Sequence, residues 1–124
     1  MARLFLIAAA LLGALSVAGG AFGAHALKGQ LTEAALNSFE TGVRYQMYHA
    51  IALIPIALLV KQYPDVGLFT IAGGCFIAGI TLFSGSLYGL SLAGIKALGP
   101  VTPLGGVALI AGWICLAIAS AKAF

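Results

Sequence analysis

Four long apolar stretches separated by short polar ones set the pattern of the chain. Residues 4 to 27 carry no Lys, Arg, Asp or Glu, and a membrane span needs about 20 mainly apolar residues. The pattern therefore predicts a first membrane helix over about 4–24. The chain then turns polar from Lys28 to Thr32 around Gly29, and Thr32 is placed to cap a following helix with its hydroxyl. Beyond it Leu36, Phe39, Val43, Met47, Ala50 and Ile54 recur at three- and four-residue steps, the mark of one helical face. The opposite arc holds Glu40, Thr41, Arg44, Tyr45, Tyr48 and His49. Only sixteen uncharged residues lie between Arg44 and Lys61. One long helix answers this, with its amphipathic first turns at the interface and its apolar remainder as a second span over about 43–61, kinked at Pro55.

Lys61 to Asp65, with Pro64, reads as a short hairpin connection. The next uncharged run, Val66 to Ile95, is thirty residues long and predicts a third span over about 67–88 followed by a loop over Gly94 to Gly99. Thr102 then suits an N-cap and Pro103 a first helical turn, where a missing N–H costs nothing. The fourth span runs over about 103–121, with Trp113 inside it and Lys122 as its terminal anchor. The expected architecture is a single domain over 1–124, an all-α integral membrane four-helix up-and-down bundle with an amphipathic interfacial stretch leading into the second span. The first stretch also fits a secretory signal peptide, with Met-Ala-Arg, an apolar core and the small-residue run from Ala18 to Ala24. The three long apolar stretches that follow favour a retained helix.

Composition sharpens this. The chain is 62% hydrophobic and 7% charged with a mean hydropathy of +1.12, whereas about a quarter of the residues of a soluble domain are charged. A water-soluble fold could not cover its surface, so the lipid bilayer is the first partner. Six Lys/Arg against three Asp/Glu give a net charge of +3. They are scattered singly, which excludes the clustered basic patch that nucleic acid requires. Arg3, Lys61 and Lys122 at one set of span ends tie with Lys28, Arg44 and Lys96 at the other, so the positive-inside rule assigns no orientation. Gly13, Gly19, Gly20 and Gly23 give the first span a thin face with a GxxxG at Gly19 and Gly23. It serves packing within the bundle or, alternatively, a homo-oligomer through Gly-rich helix faces. Cys75 and Cys115, without a CxxC or a neighbouring His, read as small buried hydrophobes.

An up-and-down order brings the chemistry to one membrane face. Glu40 and Arg44 are four apart in the favourable order for a helical ion pair. Tyr45 and His49 are likewise one turn apart, and an imidazole inside the hydrocarbon edge needs a hydrogen-bond partner. His25 ends the first span on the same side. Two His on neighbouring helices suggest metal or haem, yet a metal site takes three or four protein ligands, so no cofactor is expected. Ser84 or Ser86 with His49 and Glu40 are nucleophile, base and acid by type, but no local signature of a nucleophile elbow accompanies them.

The chain resembles the YgdD- and YwdK-like small integral membrane proteins, a domain-of-unknown-function family. The resemblance spans nearly the whole length. It rests on Gly-Ala-Phe-Gly-Ala-His at 20 to 25, Thr-Gly-Val-Arg-Tyr-Gln-Met-Tyr-His at 41 to 49, Leu-Phe-Ser-Gly-Ser-Leu-Tyr at 82 to 88 and Thr-Pro-Leu-Gly-Gly at 102 to 106. It departs at Arg44, where some relatives carry an acid. The resemblance implies a multi-pass protein of the bacterial plasma (inner) membrane and carries no established activity. It marks His25, Tyr45, Gln46, His49, Ser84, Ser86, Tyr88 and Thr102 as motif positions on the same face; with Glu40 and Arg44 they form the expected polar cluster. The expected function is non-enzymatic, the cluster being structural or binding a partner, lipid or small ligand. The alternatives are a small transporter or proton-conducting element using His49 and Glu40, and haem or metal binding by His25 and His49.

Overall fold

A computed structural model describes residues 1–124 as four long helices joined by short connections. Helix α1 spans Ala2–Phe22 and ends in a π turn, Gly23–Leu27. Helix α2 spans Glu33–Gln62, α3 Gly67–Ala93 and α4 Val101–Ala123, the last preceded by a single 3₁₀ turn at Lys96–Leu98. All four are long and apolar enough to cross a membrane. The architecture is an all-α four-helix membrane bundle.

Local chemistry explains the boundaries. The Thr32 hydroxyl accepts the Ala35 N–H at 3.1 Å and starts α2. The 30 residues of this helix reach about 45 Å at 1.5 Å per residue, more than the roughly 30 Å of hydrocarbon in a bilayer. Its polar first turns therefore stand at the interface. Pro55 lies inside it without ending it, at the cost of one backbone donor. Helix α3 continues past Tyr88 to Ala93, and within this extension Ser91 satisfies its hydroxyl on the Leu87 carbonyl at 2.7 Å. Gly94 closes it in the left-handed conformation, φ +64°, which a side chain would resist.

One expectation at α4 changes. Pro100 rather than Thr102 occupies the N-cap, and no side chain caps the helix. Thr102 lies in the first turn and its hydroxyl is drawn sideways to Ser86 of α3.

Successive helices pack antiparallel. Ser86 meets Thr102, Phe83 meets Gly105, Gly79 meets Leu109 and Phe76 meets Gly112, so each step down α3 is matched by an equal step up α4. At Gly105 a Cβ would land on the backbone of Phe83, and only glycine allows two helix backbones to approach so closely. The expected GxxxG of α1 is filled from within the chain: a Cβ at Gly19 would lie 3.2 Å from the Val43 side chain and one at Gly23 2.9 Å from the Phe39 ring.

Phe5, Leu53, Ile56, Ala57, Phe69, Ala72 and Phe76 are wholly buried. They form the dry half of the bundle, toward the chain termini and the connection between α2 and α3. Lipid tails are as apolar as these side chains, so burial alone does not hold helices together in a membrane. Close packing and interhelical hydrogen bonds must do it, and the bonds are concentrated in the other half.

Candidate functional site

The half of the bundle nearest the connections between α1 and α2 and between α3 and α4 holds the buried polar side chains. Gln46 faces inward from α2 because it continues the stripe of Phe39, Gly42, His49 and Leu53, all buried. Its Nε2 donates to the Leu12 carbonyl of α1 at 2.9 Å, and its Oε1 accepts the Tyr88 hydroxyl of α3 at 2.7 Å. One amide thus ties three helices. One turn earlier, Ser84 Oγ donates to the Gly42 carbonyl at 2.7 Å. That carbonyl is within reach because Gly42 has no side chain; a Cβ there would come 2.9 Å from the Tyr88 ring.

Helices α2 and α4 are joined by His49 and Trp113. Trp113 Nε1 lies 3.0 Å from His49 Nε2, and His49 Nδ1 lies 2.6 Å from the Tyr45 carbonyl. An indole N–H can only donate and a carbonyl can only accept. Nε2 is therefore the bare nitrogen and Nδ1 carries the proton, a neutral imidazole with both nitrogens engaged. Its ring meets the edge of Phe76 at 5.0 Å and Trp113 at 5.8 Å. Helices α3 and α4 are joined at Ser86, whose hydroxyl donates to the Phe83 carbonyl at 2.9 Å and contacts the Thr102 hydroxyl. With its single proton so used, Ser86 accepts from Thr102. No buried side-chain nitrogen or oxygen lacks a partner.

The expected cluster thus divides. Gln46, His49, Ser84, Ser86, Tyr88 and Thr102 enter the interhelical bonds. Tyr45 contributes its carbonyl, while its ring is exposed and packs on Phe83 at 4.8 Å. His25 lies outside, exposed on the π turn: Gly23 and Leu27, four residues apart, take the inward positions and leave His25 facing away. Glu40 and Arg44 also lie outside, lining with Gly20 and Val43 a recess of about 210 Å³ on the seam between α1 and α2. The ion pair expected between these two charges is not formed; one side chain is exposed and the other half-buried, a setting in which pairing gains little. No three His, Cys, Asp or Glu side chains converge.

Sequence reasoning passed over Trp113. The signal was available, since an indole N–H inside a span must find an acceptor, and Trp113 is the one tryptophan of the chain.

Beside the His49–Trp113 bridge an open groove of about 530 Å³ runs between α2 and α4. Tyr45 and Tyr48 form one wall, Ile110 and Trp113 the other, and His49 and Phe83 lie between them. Its volume falls in the range of roughly 300–1,000 Å³ typical of small-molecule sites.

Fold and site together define a small multi-pass membrane protein with a polar, hydrogen-bonded half and a dry half. The chain belongs to the family described as protein of unknown function DUF423, whose model matches residues 19–106. It is 47% identical over 120 residues to the UPF0382 membrane protein YwdK of Bacillus subtilis, covering 97% of this chain and 98% of that one. It is 45% identical to a UPF0382 membrane protein of Staphylococcus aureus and 43% identical to one of Staphylococcus haemolyticus, each over 97% of both chains. No solved structure matches.

Proposed function

We propose that this is a non-enzymatic binding protein of the membrane. The interhelical hydrogen bonds are its frame, and the groove between α2 and α4 is its ligand site. The observation that carries this reading is the groove itself: an aromatic hollow of ligand size beside a histidine pinned on both nitrogens. Its rings favour a flat, ring-bearing body by offset stacking or edge contacts. The exposed Tyr45 and Tyr48 supply phenol groups to its polar end. The ligand class is a ring-bearing amphipathic molecule drawn from the bilayer.

The chemistry that catalysis would need is committed elsewhere. Ser84 and Ser86 give their protons to backbone carbonyls, and His49 has no free lone pair to act as a base. The same saturation speaks against haem or metal at His49. Proton conduction through His49 and Glu40 would need a wet path onward, and below His49 lie the wholly buried Leu53, Ile56 and Ala57.

The test is native mass spectrometry of the protein taken from its own membrane. A co-purifying small molecule is expected, and it is lost in Gly106→Leu, which fills the groove from α4 where a Cβ would meet only Phe83, at 3.8 Å. Equal retention by a folded Gly106→Leu variant contradicts the assignment.

A further inference from the structure

The seam between α1 and α2, on the side of α2 away from the aromatic groove, has a second shape with its own chemistry. An apolar furrow of about 270 Å³ runs along it, with Ala10, Gly13 and Val17 on α1 and Met47, Ile51 and Ile54 on α2. The recess holding Glu40 and Arg44 beside Gly20 lies directly at its head. From Val17 to Gly20 and from Met47 to Arg44 is three residues, less than one helical turn. Furrow and recess thus follow one another along the same seam and make a track that is apolar below and charged above.

Its dimensions match one leaflet. Arg44 to Ile54 is ten residues, about 15 Å along the helix, and half of a hydrocarbon core of about 30 Å is the same length. Glu40 and Lys61 are 21 residues apart on one helix, roughly 32 Å, which sets them at opposite headgroup planes. Arg44, a turn below Glu40, reaches the plane by extending its stem.

We propose that this track holds one zwitterionic phospholipid of the phosphatidylethanolamine type. Its phosphate lies on the Arg44 guanidinium, its ammonium donates to the Glu40 carboxylate, and one acyl chain fills the furrow down to Ile54. Charge complementarity selects this occupant. Two opposite charges one turn apart that do not pair with each other present a donor fork to a phosphate and an acceptor to an ammonium. A phosphatidylglycerol would satisfy Arg44 but bring no cation to Glu40. A choline headgroup has no N–H to donate to it.

The experiment uses the whole protein in vesicles of equal phosphatidylethanolamine and phosphatidylglycerol, extracted into mild detergent and examined by native mass spectrometry for retained lipid. One phosphatidylethanolamine per chain is expected, in excess over phosphatidylglycerol by roughly two- to fivefold, the effect of one partly exposed ion-paired hydrogen bond. Glu40→Gln should bring the two lipids level, and Arg44→Gln should remove both. Gly13→Leu should also remove both, because a Cβ at Gly13 meets nothing within 4 Å and the side chain then occupies the furrow. Should that variant fail to fold, Ala10→Leu on the same wall replaces it. Equal retention of the two lipids by the unmodified protein overturns the proposal. So does an excess of phosphatidylglycerol, or an enrichment that survives both Arg44→Gln and the furrow-filling variant.

Discussion

Trp113 donates its indole N–H to His49 Nε2 at 3.0 Å, and this bond joins two helices that are not neighbours in sequence. Because the other imidazole nitrogen is held by the Tyr45 carbonyl, His49 is a neutral bridge. Trp113→Phe keeps an aromatic side chain but removes the donor and part of the indole's volume, leaving a buried acceptor unmet at a cost of at least about 1–3 kcal/mol. Thermal unfolding in detergent should show a lowered midpoint with unchanged helix content.

Gln46 is the next point of stress. Interhelical hydrogen bonds in membranes average about 0.6 kcal/mol and reach about 1.7. Tyr88→Phe removes one and should cost an amount in that range. Gln46→Leu removes that bond and the one to Leu12, and should cost more. The double variant should be less destabilised than the two single effects added, since both delete the Gln46–Tyr88 bond. Additive losses in a reversible unfolding measurement would mean that this bond contributes nothing.

Gly42 and Gly74 make a matched pair. A Cβ at Gly42 would press on the Tyr88 ring at 2.9 Å and approach the Ser84 carbonyl at 3.4 Å, whereas one at Gly74 meets nothing within 4 Å. Gly42→Ala should therefore cost about 1–3 kcal/mol through overpacking, and Gly74→Ala should be neutral or slightly stabilising, as glycine replaced within a helix usually is. Comparing their melting midpoints checks it.

The glycine face of α1 yields a prediction about assembly. Gly23 faces the Phe39 ring of the same chain, so Gly23→Leu should destabilise the single chain and leave its oligomeric size unchanged. Size measured by light scattering in detergent separates this from a dimer seam, where the same change would shift the mass.

The sequence made the helices readable because lipid demands long apolar runs whose ends are polar, and Thr32 and Gly94 carry their own capping and turn chemistry. Partner choice was another matter. Gln46 and Tyr88 are 42 residues apart, and nothing local says which inward polar group meets which. Thr102 has the residue type of an N-cap, but packing of α4 on α3 gave its hydroxyl a nearer partner in Ser86. His25 could not be placed from α-helical phase, because it lies within the π turn Gly23–Leu27, where the phase changes. Tyr45 and His49, one turn apart, suggested a phenol–imidazole pair. The two rings do stack, with centroids 6.3 Å apart, but the hydrogen bond of the imidazole goes to the Tyr45 carbonyl, the acceptor that every helix offers to a residue one turn on.

The most direct test of His49 as part of a fixed frame is nitrogen-15 NMR of the protein labelled at histidine, in lipid at neutral pH. His25 is identified by its absence from a His25→Ala sample. The remaining imidazole should show a protonated Nδ1 and a bare Nε2, with the Nε2 signal moving in Trp113→Phe. A protonated Nε2, or an imidazolium with both nitrogens protonated, would contradict the bridge and return His49 to the groups that could move a proton.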